Sequence, residues 1–225
     1  MKISIEAKQH AQHLLDFIDL SPSPWHVVKN VVAQLKEQGF TALDEHAKWQ
    51  LNQGGKYYVV RDGSAIIAFV IGQQPIAEEG FRIVGAHTDS PGLRLKPKAA
   101  FSSQGIAQLG VEVYGGPILA TFTDRDLSVA GRVTLRKNKG FETKLIKLDA
   151  PIARLPNLAI HMNREVNDKG LVLNKQTGLP LIFGFAVDSQ EAHQALTQTL
   201  AESLQVQAND ILTWDLALYD TQKGV

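Results

Sequence analysis

The stretch "RIVGAHTDSPGLRLKP", residues 82–97, decides how the chain divides and where its chemistry is expected. Residues 82–86 are mostly strand-forming, and His87, Asp89 and a Ser-Pro-Gly turn follow them. A strand that ends at His87 would present the imidazole at its carboxyl end, where open α/β sheets gather their ligands. The segment therefore predicts a buried strand with a candidate site at its end.

His87 and Asp89 have the residue types of a metal ligand and its supporting carboxylate. A neutral imidazole binds zinc well when a carboxylate accepts its second ring N–H and so fixes its tautomer and angle. A turn that begins after His87 can bring Asp89 back under the ring. The alternative is a strand-end histidine followed by a turn-forming aspartate. On the tripeptide alone this alternative is favoured, because His-x-Asp is frequent by chance.

Helices and one hairpin are predicted before this segment. Residues 5–19 carry apolar side chains at helical spacing. A second helix is predicted between Ser23, which suits the N-cap, and Gly39, which suits the C-terminal end. The string "KYYVVRDGSAIIAFVIG", residues 56–72, predicts a hairpin that turns at Asp62-Gly63.

After Pro97 the sequence consists mainly of short strand-like runs divided by Gly, Pro and Asn: "AQLGVEVYGG", "GRVTLRK", "ETKLIKLD", "NLAIHMN", "LPLIFGFAV" and "ILTWDLALYD". "RKNKGFE" predicts a hairpin turn. One helix is predicted over 189–204, with Asp188 as N-cap and Glu191 at the reciprocal position. The change in pattern predicts an α/β portion in residues 1–96 and a β-rich domain in residues 97–225.

Composition excludes several classes of function. Lys+Arg and Asp+Glu are both 23, and no basic block is present, so the sequence gives no indication of a nucleic-acid partner. Cysteine is absent, which rules out disulfides and thiolate metal sites. No apolar run approaches the roughly 20 residues that cross a bilayer, and the N-terminus is unlike a signal peptide. We expect a soluble, cytoplasmic protein without membrane partners.

Longer strings resemble a known family. "VGAHTDSPGLRLKP" is similar to the first metal motif of the aspartyl aminopeptidase family, whose members are cytoplasmic di-zinc exopeptidases. "SPSPWHVV", "GGKYYVVRDGSAIIAFVIG", "VEVYGG", "TDRDLSVAGRV" and "LPNLAIHMNREVNDKGLVLNKQTGLPLIFG" resemble the same family, in its order. The likeness covers roughly residues 17–185. Many long matches in order are far more specific than one short motif.

The resemblance implies a role for each part of the chain. His87 would be a zinc ligand and Asp89 the residue that orients it. Residues 1–96 would begin an α/β peptidase domain, and residues 97–225 would be an inserted dimerisation domain within a larger shell of subunits. His161, in "LAIHMNR", would reach the active site of a neighbouring subunit. The alternative for His161 is a strand histidine that faces solvent or a subunit seam.

The resemblance also implies two zinc ions, whose other ligands and general base would come from segments beyond Val225. We therefore expect the N-terminal half of a zinc aminopeptidase that removes N-terminal, acidic residues from peptides. Alone, this half is expected to be inactive and not to hold zinc stoichiometrically. Two alternatives remain: a non-catalytic assembly module that binds like chains, and a generic binding domain that only retains the fold.

Local residues offer poor substitutes for the other ligands. Glu78-Glu79 is predicted to lie in a solvated loop, while Asp124 and Asp126 are predicted to form a salt-bridged turn or an interface. The remaining histidines are all predicted to lie on the surface: His10, His13, His26, His46 and His193.

Overall fold

The computed structural model describes residues 3–225, which form two compact units that divide at Ser90/Pro91. The predicted division at 96/97 lies a few residues too late, because one strand runs from Gly92 to Ser103 without a break. Pro97 is exposed and lies where the pairing of this strand shifts register, between Leu95 and Ala100. A bulge of this kind tolerates a proline, since the missing N–H interrupts no regular ladder bond.

The first unit is a mixed α/β structure, as predicted. Its elements, in chain order, are α1 (Ile5–Asp19), α2 (Pro24–Glu37), β1 (Thr41–Ala42), β2 (Lys56–Arg61), β3 (Ala65–Val70) and α3 (Ile76–Glu79). The three strands form one sheet in the order β1-β2-β3. β1 pairs with β2 in parallel, and β2 pairs with β3 as an antiparallel hairpin.

The predicted start and turn signals of the first unit are confirmed. The Ser23 hydroxyl accepts a hydrogen bond from the backbone N–H of His26, and Pro24 occupies the first turn of α2. The hairpin turns at Asp62 and Gly63, whose φ angles are 50° and 66°. Two successive positive φ angles are typical of a turn that matches the twist of the strands, and Asp-Gly accommodates them easily.

The core of the first unit is small. Its buried apolar side chains are Trp25, Val28, Tyr57 and Tyr58. Helix α1 buries none of its side chains, although its apolar residues have helical spacing. Leu14 and Ile18 on this helix are 58% and 54% exposed. The periodicity therefore predicted the helix correctly, but Leu15 and Phe17 are only half-buried, and the other apolar side chains of the helix are exposed.

The second unit is β-rich, as predicted. Its elements are β4 (Gly92–Ser103), β5 (Ile106–Tyr114), β6 (Leu127–Arg136), β7 (Phe141–Lys147), α4 (Val166–Lys169), β8 (Leu181–Phe185), α5 (Ser189–Leu204) and β9 (Ile211–Asp220), with 3-10 turns at Leu119–Phe122 and Ala208–Asp210. The strands form one six-stranded sheet in the order β7-β6-β9-β4-β5-β8, and all its named pairs are antiparallel.

The core of the second unit lies between its sheet and α5. Fully buried leucines and valines of the sheet meet a stripe of the helix made by Ala192, Leu196 and Leu200. Asp188 caps α5 by accepting from the backbone N–H of Glu191 at 2.9 Å. The Glu191 carboxylate accepts in return from the N–H of Val187, one residue before the expected partner.

Two predicted strands are absent. Residues 81–86 have no regular structure, and Phe81, Ile83 and Val84 are 75%, 85% and 98% exposed. A buried strand needs neighbours that pair with its backbone, and no strand of residues 3–225 pairs with this segment. Residues 157–163, "NLAIHMN", are likewise irregular and end in a turn.

Candidate metal ligand and the loop that carries His161

His87 and Asp89 form the pair that the sequence predicted. The His87 Nδ1 atom lies 2.9 Å from the Asp89 Oδ1 atom. With its proton on Nδ1, the imidazole donates to the carboxylate, which leaves Nε2 as the nitrogen that can bind a metal. The His87 side chain is 88% exposed, whereas that of Asp89 is 33% exposed. The two side chains thus have the contact that a metal ligand and its supporting carboxylate would have, on an irregular segment rather than at a strand end.

One contact fixes this segment locally. The Thr88 hydroxyl donates to the backbone carbonyl of Ser64 at 2.7 Å, directly before β3 begins. The residue between His87 and Asp89 is therefore tied to the hairpin of the first unit. This contact holds the backbone of the His-x-Asp turn without using either functional side chain.

At this place the described residues offer one candidate metal ligand, His87. Within residues 3–225, no three His, Asp or Glu side chains come together in a way that could hold a metal ion. A catalytic zinc needs about three protein ligands and an open position. The described residues therefore fit one ligand position with its orienting carboxylate, and they do not complete a zinc site by themselves.

His161 lies on an exposed loop of the second unit. We define this loop as residues 158–172 and call it the His161 loop. The chain leaves the core after Leu155, which is 3% exposed, and packs on it again at Leu173. His161 lies in a turn of this loop and is exposed. The loop also exposes large apolar side chains, among them Leu158 at 60% and Met162 at 73%.

Asp124 and Asp126 form a polar network with the segment before this loop, as the predicted salt-bridged turn requires. Arg154 Nη1 lies 3.1 Å from the Asp126 carboxylate, and Arg154 Nη2 donates to the backbone carbonyl of Asp124 at 2.9 Å. The Asp124 carboxylate accepts from the Asn157 side chain at 2.9 Å. Hydrogen bonds from Asn157, first from its side chain and then from its backbone, lower the pKa of Asp124. The sequence did not single out Asn157; the Pro-Asn pair before "LAIHMN" was the available signal.

The remaining acidic and histidine residues behave largely as predicted. Glu78 and Glu79 are exposed, but they form the single helical turn α3 rather than a loop. The surface prediction is confirmed for four histidines, which are exposed: His10, His13, His46 and His193.

The surface prediction for His26 is wrong. This residue is only 8% exposed, and its Nδ1 atom lies 2.7 Å from the Ser23 hydroxyl oxygen. Its place in the first turn of α2, beside the capping serine, gives the ring a local partner. Burial of the ring is therefore tolerated.

The comparison with protein families identifies the class of protein. The model of the aminopeptidase I zinc metalloproteases (M18) matches residues 17–225, and the chain belongs to this family. The chain is 47% identical over 215 residues to a protein of Ectopseudomonas mendocina (strain ymp) named "Probable M18 family aminopeptidase 2". That alignment covers 95% of this chain and 50% of the relative, so the chain spans about half the length of the curated relatives it matches.

Solved structures of the family have the same fold. The cryo-EM structure of the Ape4 and Nbr1 complex gives a TM-score of 0.90 at 35% identity, and covers 99% of this chain and 47% of that chain. The dodecamer of mApe1 from S. cerevesiae gives a TM-score of 0.77 at 27% identity, with 98% of this chain and 50% of that chain covered. The family is thus one of zinc metallopeptidases, and oligomers occur among its solved structures.

Proposed function

We propose that this chain is the N-terminal half of a zinc aminopeptidase that removes acidic N-terminal residues, Asp or Glu, from peptides. Residues up to about 90 would belong to the peptidase domain, and residues from about 91 onward would be an inserted dimerisation domain. The complete enzyme would hold two zinc ions and would act in the cytoplasm. No helix among residues 3–225 is long and apolar enough to span a membrane.

The observation that carries this proposal is the His87–Asp89 pair, in a chain that matches the zinc metalloprotease family along nearly its whole length. A carboxylate can only accept here, so the contact favours the tautomer in which the Nδ1–H group donates to Asp89 and Nε2 is left for a metal. When zinc is bound, it supplies a polarised water for attack on the scissile carbonyl. The part of this chain is to hold His87 in the orientation that a ligand needs.

The count of ligands limits what this chain does alone. One histidine with its supporting aspartate leaves a catalytic zinc short of ligands, and no described group nearby completes the set. We expect the isolated chain to bind zinc weakly and to release no N-terminal Asp or Glu. The other ligands and the general base would be supplied by the half of the relatives' length that this chain does not match.

Self-association would involve the second unit. The mApe1 neighbour is a dodecamer, and the His161 loop of this chain exposes His161 among apolar side chains. In the complete enzyme, His161 would enter the active site of a neighbouring subunit. There it would donate a hydrogen bond to the substrate, or to the charge that develops on the scissile carbonyl. The same exposed loop favours a second candidate function, a non-catalytic module that assembles with like chains.

The first test supplies the missing half. The pure chain is incubated with a peptide that begins with Asp, alone and together with a chain that corresponds to the unmatched half of a relative. We expect chelator-sensitive release of Asp only from the mixture. Chelator-sensitive release by the pure chain would overturn the claim that it is incomplete. Self-association of the pure chain, with no release from the mixture, would favour the module.

Variants of the active mixture test the residues. His87→Ala should abolish most activity through loss of zinc, and Asp89→Asn should weaken zinc affinity by about 10–100-fold, as is typical when the partner of a ligand is changed. His46→Ala, which removes an exposed histidine of the same unit, is the matched control. Normal zinc content in His87→Ala would remove His87 from the ligand set.

His161→Ala is expected to lower turnover by roughly a hundredfold, with unchanged zinc content and particle mass. A donor to the developing charge typically contributes about 3 kcal/mol. Loss of assembly, or no change at all, would instead indicate a structural histidine. Normal turnover in an intact oligomer would exclude His161 from the catalytic residues.

A further inference from the structure

We propose that Asp124 is a positioning residue for the His161 loop, because it holds Asn157, the residue at which that loop leaves the fold. What the loop does in the complete enzyme rests on the proposed function. The contact between Asp124 and Asn157 is independent of that function and can be tested in the chain as it stands.

Both carboxylate oxygens of Asp124 engage the same residue. Oδ1 accepts from the backbone N–H of Asn157 at 3.1 Å, and Oδ2 accepts from its side-chain amide at 2.9 Å. The Asn157 amide also donates to the Thr123 hydroxyl at 3.0 Å. Since a side-chain amide carries two N–H donors, both are used. The backbone and the side chain of Asn157 are therefore fixed together.

Asp124 is itself held by the segment that it fixes. Its backbone N–H donates to the carbonyl of Leu155 at 2.9 Å, and its own carbonyl accepts from Arg154. Its φ angle is 56°, a left-handed conformation that aspartate adopts more readily than most residues. Leu155 and Leu127, on either side of this junction, are 3% and 1% exposed. The contact between Asp124 and Asn157 is thus connected directly to the buried core of the second unit.

The His161 loop has no comparable support of its own. The hydrogen bonds found for residues 158–172 join residues no more than four positions apart, as from the N–H of Met162 to the carbonyl of Ala159 at 2.8 Å. Such local bonds shape the loop but do not fix its direction. Its direction is set at its ends, where Asn157 is held by Asp124 and Leu173 packs on the core.

The charges around Asp124 favour its ionised form. Hydrogen bonds from Asn157 lower its pKa, and the charge of Arg154 lowers it further. Arg154 is shared with Asp126, and the adjacent Arg125 pairs with Asp220. At neutral pH the Asp124 carboxylate is therefore ionised, and both of its oxygens can only accept hydrogen bonds. The backbone N–H and the side-chain amide of Asn157 need these two acceptors.

The test uses Asp124→Asn in the full 225-residue chain. The new amide keeps one acceptor oxygen for the two N–H donors of Asn157, so at one of the two contacts an NH2 group would face a donor. We expect tryptic cleavage after Arg164, followed by mass spectrometry, to become roughly three- to tenfold faster, since bonds to an exposed carboxylate are individually weak. Cleavage outside residues 158–172 and the thermal midpoint should stay unchanged. Asp168→Asn, an exposed acid on the same loop, is the matched control.

A swap of the two residues gives the rescue. In Asp124→Asn combined with Asn157→Asp, the amide at position 124 donates to the carboxylate at 157, so slow cleavage after Arg164 should return. The ring resonances of His161 in NMR spectra should move in Asp124→Asn and recover in the swap. Unchanged cleavage and an unchanged His161 spectrum in Asp124→Asn would overturn the inference. Equal acceleration at all tryptic sites would also overturn it, because that result indicates general unfolding.

These measurements separate this inference from the proposed function, because neither requires activity. In the active mixture, Asp124→Asn should lower kcat with unchanged zinc content and KM. If His161→Ala leaves turnover normal, the catalytic role of the loop fails while the cleavage result stands. If neither cleavage after Arg164 nor the His161 spectrum changes, Asp124 does not position the loop, whatever the turnover.

Discussion

Gly131 provides the most direct test of the second unit, because the position has no space for a side chain. It lies in β6, a strand that pairs with β7 on one side and β9 on the other. A Cβ atom at Gly131 would lie 2.1 Å from the carbonyl oxygen of Asp215 and 3.0 Å from the Cα atom of Leu216. Both are backbone atoms of β9, so no side chain can rotate away. The φ angle of Gly131 is 156°, which also disfavours a side chain.

Gly131→Ala should therefore lower the free energy of unfolding of the second unit by about 3 kcal/mol or more. Forced overpacking costs about 1–3 kcal/mol, and a disfavoured backbone conformation adds a similar amount. For a domain of this size, that loss corresponds to a fall in Tm of roughly 10 °C. Urea and thermal unfolding, followed by the β-sheet signal in far-ultraviolet circular dichroism, which the six-stranded sheet of this unit dominates, would measure it. Gly184→Ala is the control, because a Cβ there meets nothing within 4 Å. Equal midpoints for the two variants would refute the steric reasoning.

Three further predictions follow from the described contacts. Ser23→Ala should lower the free energy of unfolding of the first unit by about 1–2 kcal/mol in urea, because it removes the cap of α2 and the hydroxyl beside the buried His26 ring. Ser64→Ala, which lies away from any helix cap, should change it little. Burial raises the pKa of Tyr219 to about 12, so its contribution to stability should be complete below pH 10 and should fall as the pH approaches 12. In Tyr219→Phe, the free energy of unfolding should therefore fall less between pH 10 and pH 12. An equal fall in the two proteins would contradict the assignment. The exposed apolar side chains of residues 81–86 should make the chain associate, and Val84→Lys should shift the mass measured by light scattering toward that of a monomer. A monodisperse wild-type monomer at high concentration would count against this.

The features that the sequence predicted well are those fixed by neighbouring residues. The turn at Asp62-Gly63 requires positive φ angles, which these two residue types tolerate, so the dipeptide located the hairpin. The cap at Asp188 depends on a backbone donor three residues away, and it formed where expected. The His87–Asp89 pair belongs to the same class, because a short turn is enough to bring the carboxylate to the ring.

Predictions that depended on distant partners were less successful. Residues 81–86 have the composition of a strand, but a strand forms only where another strand pairs with it. His26 is predicted on the surface because it lies on a presumed helix or polar segment, whereas the cap serine beside it gives the ring a partner in a buried position. Asn157 was not recognised because its role depends on Asp124, which lies 33 residues earlier in the chain.

Helices α1 and α5 show why apolar spacing alone could not locate the whole core. Both have apolar residues at helical spacing, and both have a side-chain N-cap. Helix α5 buries Leu196 and Leu200 against the sheet of its own unit, while α1 exposes Leu14 and Ile18. Spacing determines which side of a helix is apolar, but burial requires a surface that meets it. In the first unit, Leu14 and Ile18 have the spacing of a buried helix face and residues 81–86 have the composition of a buried strand, yet the side chains of Leu14, Ile18, Phe81, Ile83 and Val84 are exposed because no such surface within residues 3–225 meets them.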